Sequence, residues 1–355
     1  RSTPKPSSAA SDVYKRQFSD RRTKKIKKIK IVIPSKLDAL YAKFLKIHLK
    51  NSVHFTYNIV MVGKSKSKLK KELLDADILI TSSWKNNNTP APKLKLIQIP
   101  AAGYENIDIS SIPNDCKLCN VYEHEDPIAE YCLLAMLESE IKLSQFDKKF
   151  KSLDWSDHFS NKEFRGELLG RKIGVIGYGR IGKKIIERAN AFKMHSTAIV
   201  RNKDKYKNNN YGKVKIYAVK EIDKAILNLD YLIVACPLNK ETENLINIDI
   251  IKRMKPDAVI INVARGKIIN EQDLYKALKN KIIREAIIDV WYKYPTSNNS
   301  KNLWPSNFPM HELDNITMSP HTSAWTEQML NRRFKIIGRN ISNILLGKKV
   351  LNQLN

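Results

Sequence analysis

Cysteine is nearly absent from this chain: four among 355 residues, Cys116, Cys119, Cys132 and Cys236. A disulfide scaffold is excluded at that density, and so few thiols predict a reducing compartment. Cys116 and Cys119 form C-x-x-C, yet neither a second pair nor a His cluster follows at zinc-like spacing. No metal site is predicted, and the pair reads as a buried strand cysteine beside a loop cysteine. Long apolar runs are missing too. None approaches the ~20 residues that span a bilayer, and no stretch reads as a secretory signal. The expectation is a soluble, cytoplasmic protein with no membrane partner. Acidic residues are in short supply, 36 against 63 Lys and Arg, for a formal charge of +27. Residues 1–30 carry +9 of it, from 11 basic and 2 acidic side chains. The other +18 is scattered among Asn and Ile rather than gathered in a stripe, as an AT-rich coding sequence would yield. That pattern predicts weak polyanion binding at low salt, not a specific nucleic-acid partner.

What is present suffices for two cores: 42% hydrophobic residues in a chain long for one domain. Residues 1–20 are polar, aperiodic and Pro/Ser-containing. They read as a disordered or non-native, adapter-like extension outside the fold. From Ile29 to Val121, short apolar runs (29–33, 57–62, 78–81, 96–99, 117–121) alternate with helical patterns at 37–48 and 68–74. Such alternation predicts a parallel α/β sheet. Asp126-Pro127 reads as an N-cap and first helical residue. It opens a helix apolar nearly all round, suited to burial or a subunit interface. Residues 148–164 read as an irregular arm with Trp155 and Phe159 as packing anchors.

Residues 172–182, KIGVIGYGRIG, are the motif around which the remainder is arranged. An apolar strand stops at Gly177, and Gly179 and Gly182 complete G-x-G-x-x-G. Helical spacing follows from Arg180 to Phe192. Strand, glycine turn and helix together are the context a dinucleotide fingerprint requires. The first glycine permits the turn, the second admits a pyrophosphate, and the third allows close helix packing. The phosphates would meet the free N–H groups of the helix N-terminus. Gly177, Tyr178, Gly179, Arg180, Ile181 and Gly182 are therefore predicted to bind cofactor.

Further apolar strands end at Pro237, Arg265, Asp289 and His321. In a parallel sheet those ends share one edge, so these residues are predicted to converge with Gly177. Arg265 there suits a carboxylate, which a guanidinium grips with two parallel hydrogen bonds. His321 would face it and exchange a proton with a carbonyl–alcohol pair. The tail (Phe334, Ile337, Ile341, Ile344, Leu345) is expected to pack back on the first domain.

With these motifs in order, the sequence resembles the D-isomer-specific 2-hydroxyacid dehydrogenases. ELLGRKIGVIGYGRIG matches the family's cofactor signature, VARG its substrate-arginine motif and PHTSAWTEQ its catalytic-histidine segment. AAGYENID matches the carboxylate-binding loop, and CPLNKETENLIN the segment over the nicotinamide. The resemblance spans about residues 30–350. It implies an α/β protein of two Rossmann-like or flavodoxin-like parallel-sheet domains with a cleft between them. The substrate (catalytic) domain would be residues 21–125 plus 325–355, and the dinucleotide-binding Rossmann domain residues 126–324. Arg265 and His321 would be catalytic. Pro237, Ala264 and Asp289 would contact the nicotinamide end, the last two at its carboxamide. Ala102, Gly103, Tyr104 and His124 would join Arg265 around a 2-oxo or 2-hydroxy acid. The resemblance also implies a homodimer, through the apolar helix and the arm.

Two departures stand out. The family's glutamate that pairs with the histidine is replaced by Tyr294, which is neutral at pH 7 and is left to orient the imidazole by a hydrogen bond. Glu123, His124 or Glu125 could supply the lost acid. The family's NAD-specific members carry an acid after the second strand for the ribose 2′-OH. Here Val200 takes that place and Arg201 follows, which predicts NADP(H) over NAD(H). The first reading is a 2-oxoacid reductase. Two others share the fold: a formate-dehydrogenase-like enzyme, and a non-catalytic dinucleotide-sensing regulator.

Overall fold

The computed structural model describes residues 26–49, 54–85, 90–161, 164–206, 214–295 and 302–355. The extension expected over residues 1–20 lies outside them. The chain forms two compact units, one running to Glu123 and resuming over Leu330–Asn355, the other His124–Met329.

The first unit is built on β1 (Lys27–Ile33), α1 (Asp38–His48), β2 (Phe55–Met61), α2 (Lys66–Leu73), β3 (Ile78–Ile80), β4 (Leu96–Gln98) and β5 (Lys117–Cys119). Its five strands pair in parallel in the order β2-β1-β3-β4-β5, a flavodoxin-like arrangement. Strands covered on both faces read as apolar runs, and Ile29, Ile31, Val32 and Ile33 are all fully buried. The tail closes this core. Phe334, Ile337 and Ile341 are fully buried, and Phe334 lies 6.1 Å from the ring of Phe44. Cys116 and Cys119 are buried and unpaired, and burial pushes both thiols up to about 12, so they are inert core residues.

The second unit begins with α3 (Glu125–Ile141) and α4 (Leu143–Phe150). Helix α3 starts two residues before the Pro that was expected to open it. Its N-cap is His124, and Asp126 lies inside the first turn, bonded to Arg188 at 2.9 Å. The first-turn N–H groups need no helical partner, so Pro127 is accommodated there, and Glu125 and Asp126 face the positive helix end. Trp155 and Phe159, expected as anchors, are 60% and 87% exposed.

The seven-stranded sheet follows: β6 (Lys172–Ile176), α5 (Arg180–Ala191), β7 (His195–Val200), β8 (Lys215–Ala218), α6 (Ile222–Ala225), β9 (Tyr231–Val234), α7 (Ile248–Arg253), β10 (Val259–Asn262), α8 (Glu271–Lys279), β11 (Glu285–Ile288) and β12 (Ile316–Met318). Helix α9 (Glu327–Leu345) carries the chain back into the first unit. The order is β12-β11-β10-β9-β6-β7-β8, all parallel. Alternate residues serve opposite faces. Leu232, Val234 and Ile260 join one core with α7 and α8, while Tyr231, Ile233 and Ile261 join the other with α3 and α5. One register row runs Ile199, Ile176, Val234, Asn262, Ile288, Met318 across six strands. The chain therefore leaves all six strands at the same edge. Strand order reverses between β6 and β9, the switch point at which open α/β sheets bind ligands.

Candidate active site

The glycine turn occupies that switch point. Gly177 has φ of +98°, and a Cβ there would meet Ala235 O at 2.8 Å and Cys236 Cα at 2.9 Å. Only glycine lets the two strand-end loops approach so closely. A Cβ on Gly182 would stand 2.0 Å from Gly177 O, so the helix must also begin with a glycine against the turn. Gly179 differs: it caps α5 with no side-chain bond, and a Cβ built on it meets nothing within 4 Å. The space in front of the helix N-terminus is open and faced by its first N–H groups. That is a cradle for a pyrophosphate, and these residues fit a dinucleotide. Around it, Tyr178 turns its side chain into the core and Ile181 is half-buried. The Arg180 guanidinium lies 3.8 Å from the Glu125 carboxylate. At the end of β7, Lys203 is paired with Glu221 at 2.8 Å. Arg201 is exposed and has no hydrogen-bond or ion-pair partner among the described residues.

Across the edge, Arg265 follows β10 in a turn built by buried Asn262. The Asn262 Oδ1 accepts from the Ala264 N–H at 3.1 Å, and its Nδ2 donates to the Arg265 carbonyl at 3.0 Å. The Arg265 Nη1 donates to the Ala264 carbonyl at 2.8 Å. Gly266 is forced, because a Cβ there would lie 2.5 Å from Trp291 O. Pro237 is exposed after β9, and its carbonyl accepts from the Thr242 hydroxyl at 2.7 Å.

His321 sits at φ of +57° after β12. Its Nδ1 is 2.9 Å from the Tyr294 hydroxyl, which itself accepts the Trp291 N–H at 3.1 Å. Burial lowers the His321 pKa and Arg265 lowers it further, against an opposing pull from Asp289. The same guanidinium also acts on Tyr294, whose phenol is held above its ordinary value by burial first of all. Arg265, Tyr294, His321 and Asp289 thus form one electrostatic group. Asp289 is fully buried, and Ser319 Oγ, Thr322 N–H and Ser323 N–H all donate to its carboxylate, at 2.5, 2.8 and 3.0 Å.

Ala102, Gly103 and Tyr104 follow β4 in the first unit, where Asn120 Nδ2 donates to the Ala102 carbonyl at 2.8 Å and Tyr104 is exposed. Glu123 is held there by Arg332 at 3.2 Å. His124 opens the second unit. Asn262 and Ser319 were not singled out from sequence. An Asn closing a strand one step before a turn, as in NVARG, was the available signal for the first. Ser319 had none.

The profile of the D-isomer specific 2-hydroxyacid dehydrogenase NAD binding domain matches residues 133–323. The D-3-phosphoglycerate dehydrogenase of Methanocaldococcus jannaschii is 31% identical over 305 residues, 83% of this chain and 55% of that protein. This chain thus spans about half the length of that relative. The glyoxylate reductase of Pyrococcus furiosus is 28% identical over 290 residues, 78% of this chain and 81% of that protein. In fold, a D-isomer specific 2-hydroxyacid dehydrogenase family protein from Aeromonas salmonicida superposes with a TM-score of 0.75 at 24% identity, over 92% of this chain and 99% of that one. An acyclic imino acid reductase solved with NADPH and D-Arg superposes with a TM-score of 0.72 at 23% identity, over 93% and 100%. The chain belongs to the D-isomer specific 2-hydroxyacid dehydrogenase family, a family of oxidoreductases, and carries its NAD-binding domain.

The glycines separate folding from binding. Gly179→Ala should leave the melting temperature unchanged and weaken dinucleotide binding, because its methyl enters only the cradle. Gly182→Ala should lower the melting temperature by several degrees, because its methyl meets backbone. Calorimetry beside dinucleotide titration checks both; equal stability losses would contradict the assignment.

Proposed function

We infer that this chain is a nicotinamide-dependent D-2-hydroxyacid dehydrogenase working chiefly as a 2-oxoacid reductase. The observation that carries the reading is the His321–Tyr294 pair at 2.9 Å, grouped electrostatically with Arg265 on the sheet edge that also bears the glycine cradle. A bound nicotinamide dinucleotide supplies or accepts the hydride. Arg265 takes the substrate carboxylate through paired donors. With Nδ1 engaged by Tyr294, His321 offers Nε2 to the substrate oxygen, donating a proton in reduction and accepting it in oxidation. The Tyr294 hydroxyl serves both states of the ring. It accepts from Nδ1–H in both, so the neutral imidazole keeps its proton on Nδ1 and leaves Nε2 free to take one from the substrate. It brings no charge, so it orients the ring without raising its pKa as a carboxylate would.

Arg201, without a hydrogen-bond or ion-pair partner among the described residues, and Val200 in the place of the expected acid favour NADP(H) over NAD(H). Oxidation of NADPH and NADH should be followed against glyoxylate, hydroxypyruvate, pyruvate, phenylpyruvate and a branched 2-oxo acid. The expected result is turnover of at least one acid with NADPH preferred, and a roughly tenfold loss of kcat/KM for NADPH alone in Arg201→Ala. No turnover despite tight dinucleotide binding would favour the sensor reading. An NADH preference untouched by Arg201→Ala would remove the cofactor assignment.

The pH dependence follows in sign from His321. Its imidazolium is needed for reduction, and burial lowers its pKa from the ordinary imidazole value of about 6.5. Reduction should therefore decline as pH rises through a midpoint below that value. Tyr294→Glu should move the midpoint up by about one unit or more, because a carboxylate stabilises the charged ring. An unmoved midpoint would separate Tyr294 from the histidine.

A homodimer is the assembly this reading implies. Leu153, Phe159 and Phe164 of the arm are 84%, 87% and 97% exposed, apolar surface suited to a second copy. Sedimentation velocity should give a dimer that Phe159→Asp with Phe164→Asp converts to monomer; a monomeric wild type would exclude it.

A further inference from the structure

At the opposite end of the seven-stranded sheet, three neighbouring strands begin with basic residues. Lys172 opens β6, His195 opens β7 and Lys215 opens β8. Lys172 pairs with His195 in the ladder, and Lys215 pairs with Thr197, two residues further along β7. Alternation puts all four side chains on one face of the sheet. On that face Gly174 meets Leu229, and Tyr217 packs against the core that holds Ile222 and Leu229. Helix α6 lies there but is a single turn, too short to cover the strand starts. What it leaves is a crevice of about 330 Å³ between the sheet and the chain from Lys224 to Leu229.

The lining of the crevice is basic. Lys172, His195, Lys215 and Lys224 contribute to it, and no carboxylate does. The acids nearest in sequence are engaged elsewhere. Asp223 lies 3.6 Å from Arg253, and Asp230 accepts from Lys255 Nζ at 2.5 Å and from the Lys172 N–H at 2.7 Å. The three ammonium groups have no hydrogen-bond or ion-pair partner among the described residues. Deeper in lies Thr197, only 8% exposed, whose hydroxyl likewise has no partner among them. An unpaired buried hydroxyl costs free energy that a bound acceptor recovers. Like charges around one crevice repel, and a multiply charged anion offsets that repulsion. A phosphoryl group has three acceptor oxygens and close to two charges at pH 7, so it can meet several such donors at once.

We propose that this crevice binds a small phosphorylated molecule, whose phosphoryl oxygens accept from the Thr197 hydroxyl and from Lys172, Lys215 and Lys224. It lies at the amino ends of the strands, a strand's length from the glycine turn, and is therefore separate from the dinucleotide cradle. It stands whatever reaction that cradle serves.

The test is calorimetric titration of the full chain at fixed ionic strength, saturated with NADPH so that the cradle is filled. The probes are inorganic pyrophosphate and glycerol phosphate, and the tighter of the two tells a free phosphate from an ester. Saturable one-to-one binding is expected. Lys215→Gln and Lys224→Gln should each weaken it roughly tenfold, the loss of one charge-assisted hydrogen bond. Thr197→Val, which keeps the shape of the side chain, should weaken it several-fold without lowering the melting temperature. Lys279→Gln on α8 removes the same charge elsewhere and should change nothing. Absence of saturable binding, or an equal loss in Lys279→Gln, would overturn the proposal and leave the crevice as part of a diffuse positive surface. A single-stranded oligonucleotide that displaces both probes and binds more tightly through the same lysines would also overturn it. If NADPH does not bind, the reading of the cradle fails while the lysine and threonine variants still decide the crevice.

Discussion

Parallel pairing in one register is the constraint on which this site depends. Six strands of the second unit share a single row of paired residues at their carboxyl ends. Each loop beyond that row therefore starts within a strand spacing or two of its neighbour. The backbone ladder, and not any contact between functional side chains, brings Gly177, Arg265, Asp289 and His321 to one edge. The reversal of strand order between β6 and β9 then opens space at that edge.

Within this frame the local devices are few, and each answers one packing demand. Glycine stands at 177, 182 and 266 because backbone occupies the place of a Cβ, and at 179 because a ligand needs the space. Asn262 shapes the turn before Arg265, and Asp289 holds the one before His321. Two buried polar side chains at strand ends thus bond the backbone of the turns that carry Arg265 and His321. Where the resemblance implies a carboxylate, Tyr294 bonds the histidine ring and brings no charge. Orientation rests on the 2.9 Å hydrogen bond, while burial and Arg265 outweigh the upward pull of Asp289 on the imidazole pKa.

Much of this was legible in the sequence, for a physical reason. Strands buried on both faces must be continuous apolar runs, so YLIVA and AVIINV announce themselves and their ends can be counted. The glycine pattern is equally legible, because steric demand leaves no alternative residue. Side-chain partners were less so. Nothing local in DVWYKYP tells that Asp289 bonds a turn 30 residues later. The sequence puts the cap of α3 at Asp126 and the structure puts it at His124, because an Asp-Pro pair gives the same signal whether it caps the helix or lies in its first turn. Trp155 and Phe159 read as anchors but are exposed, because an aromatic in a polar arm looks the same in sequence whether its own chain buries it or leaves it exposed.

The central claim is that this edge delivers a hydride and a proton to one face of a 2-oxo acid. The most direct measurement supplies dinucleotide deuterated at C4 of the nicotinamide and resolves the product on a chiral column with mass detection. The account predicts deuterium at C2 of a D-2-hydroxy acid, with product formation suppressed in His321→Gln. An L product, or a product without deuterium at C2, would contradict it.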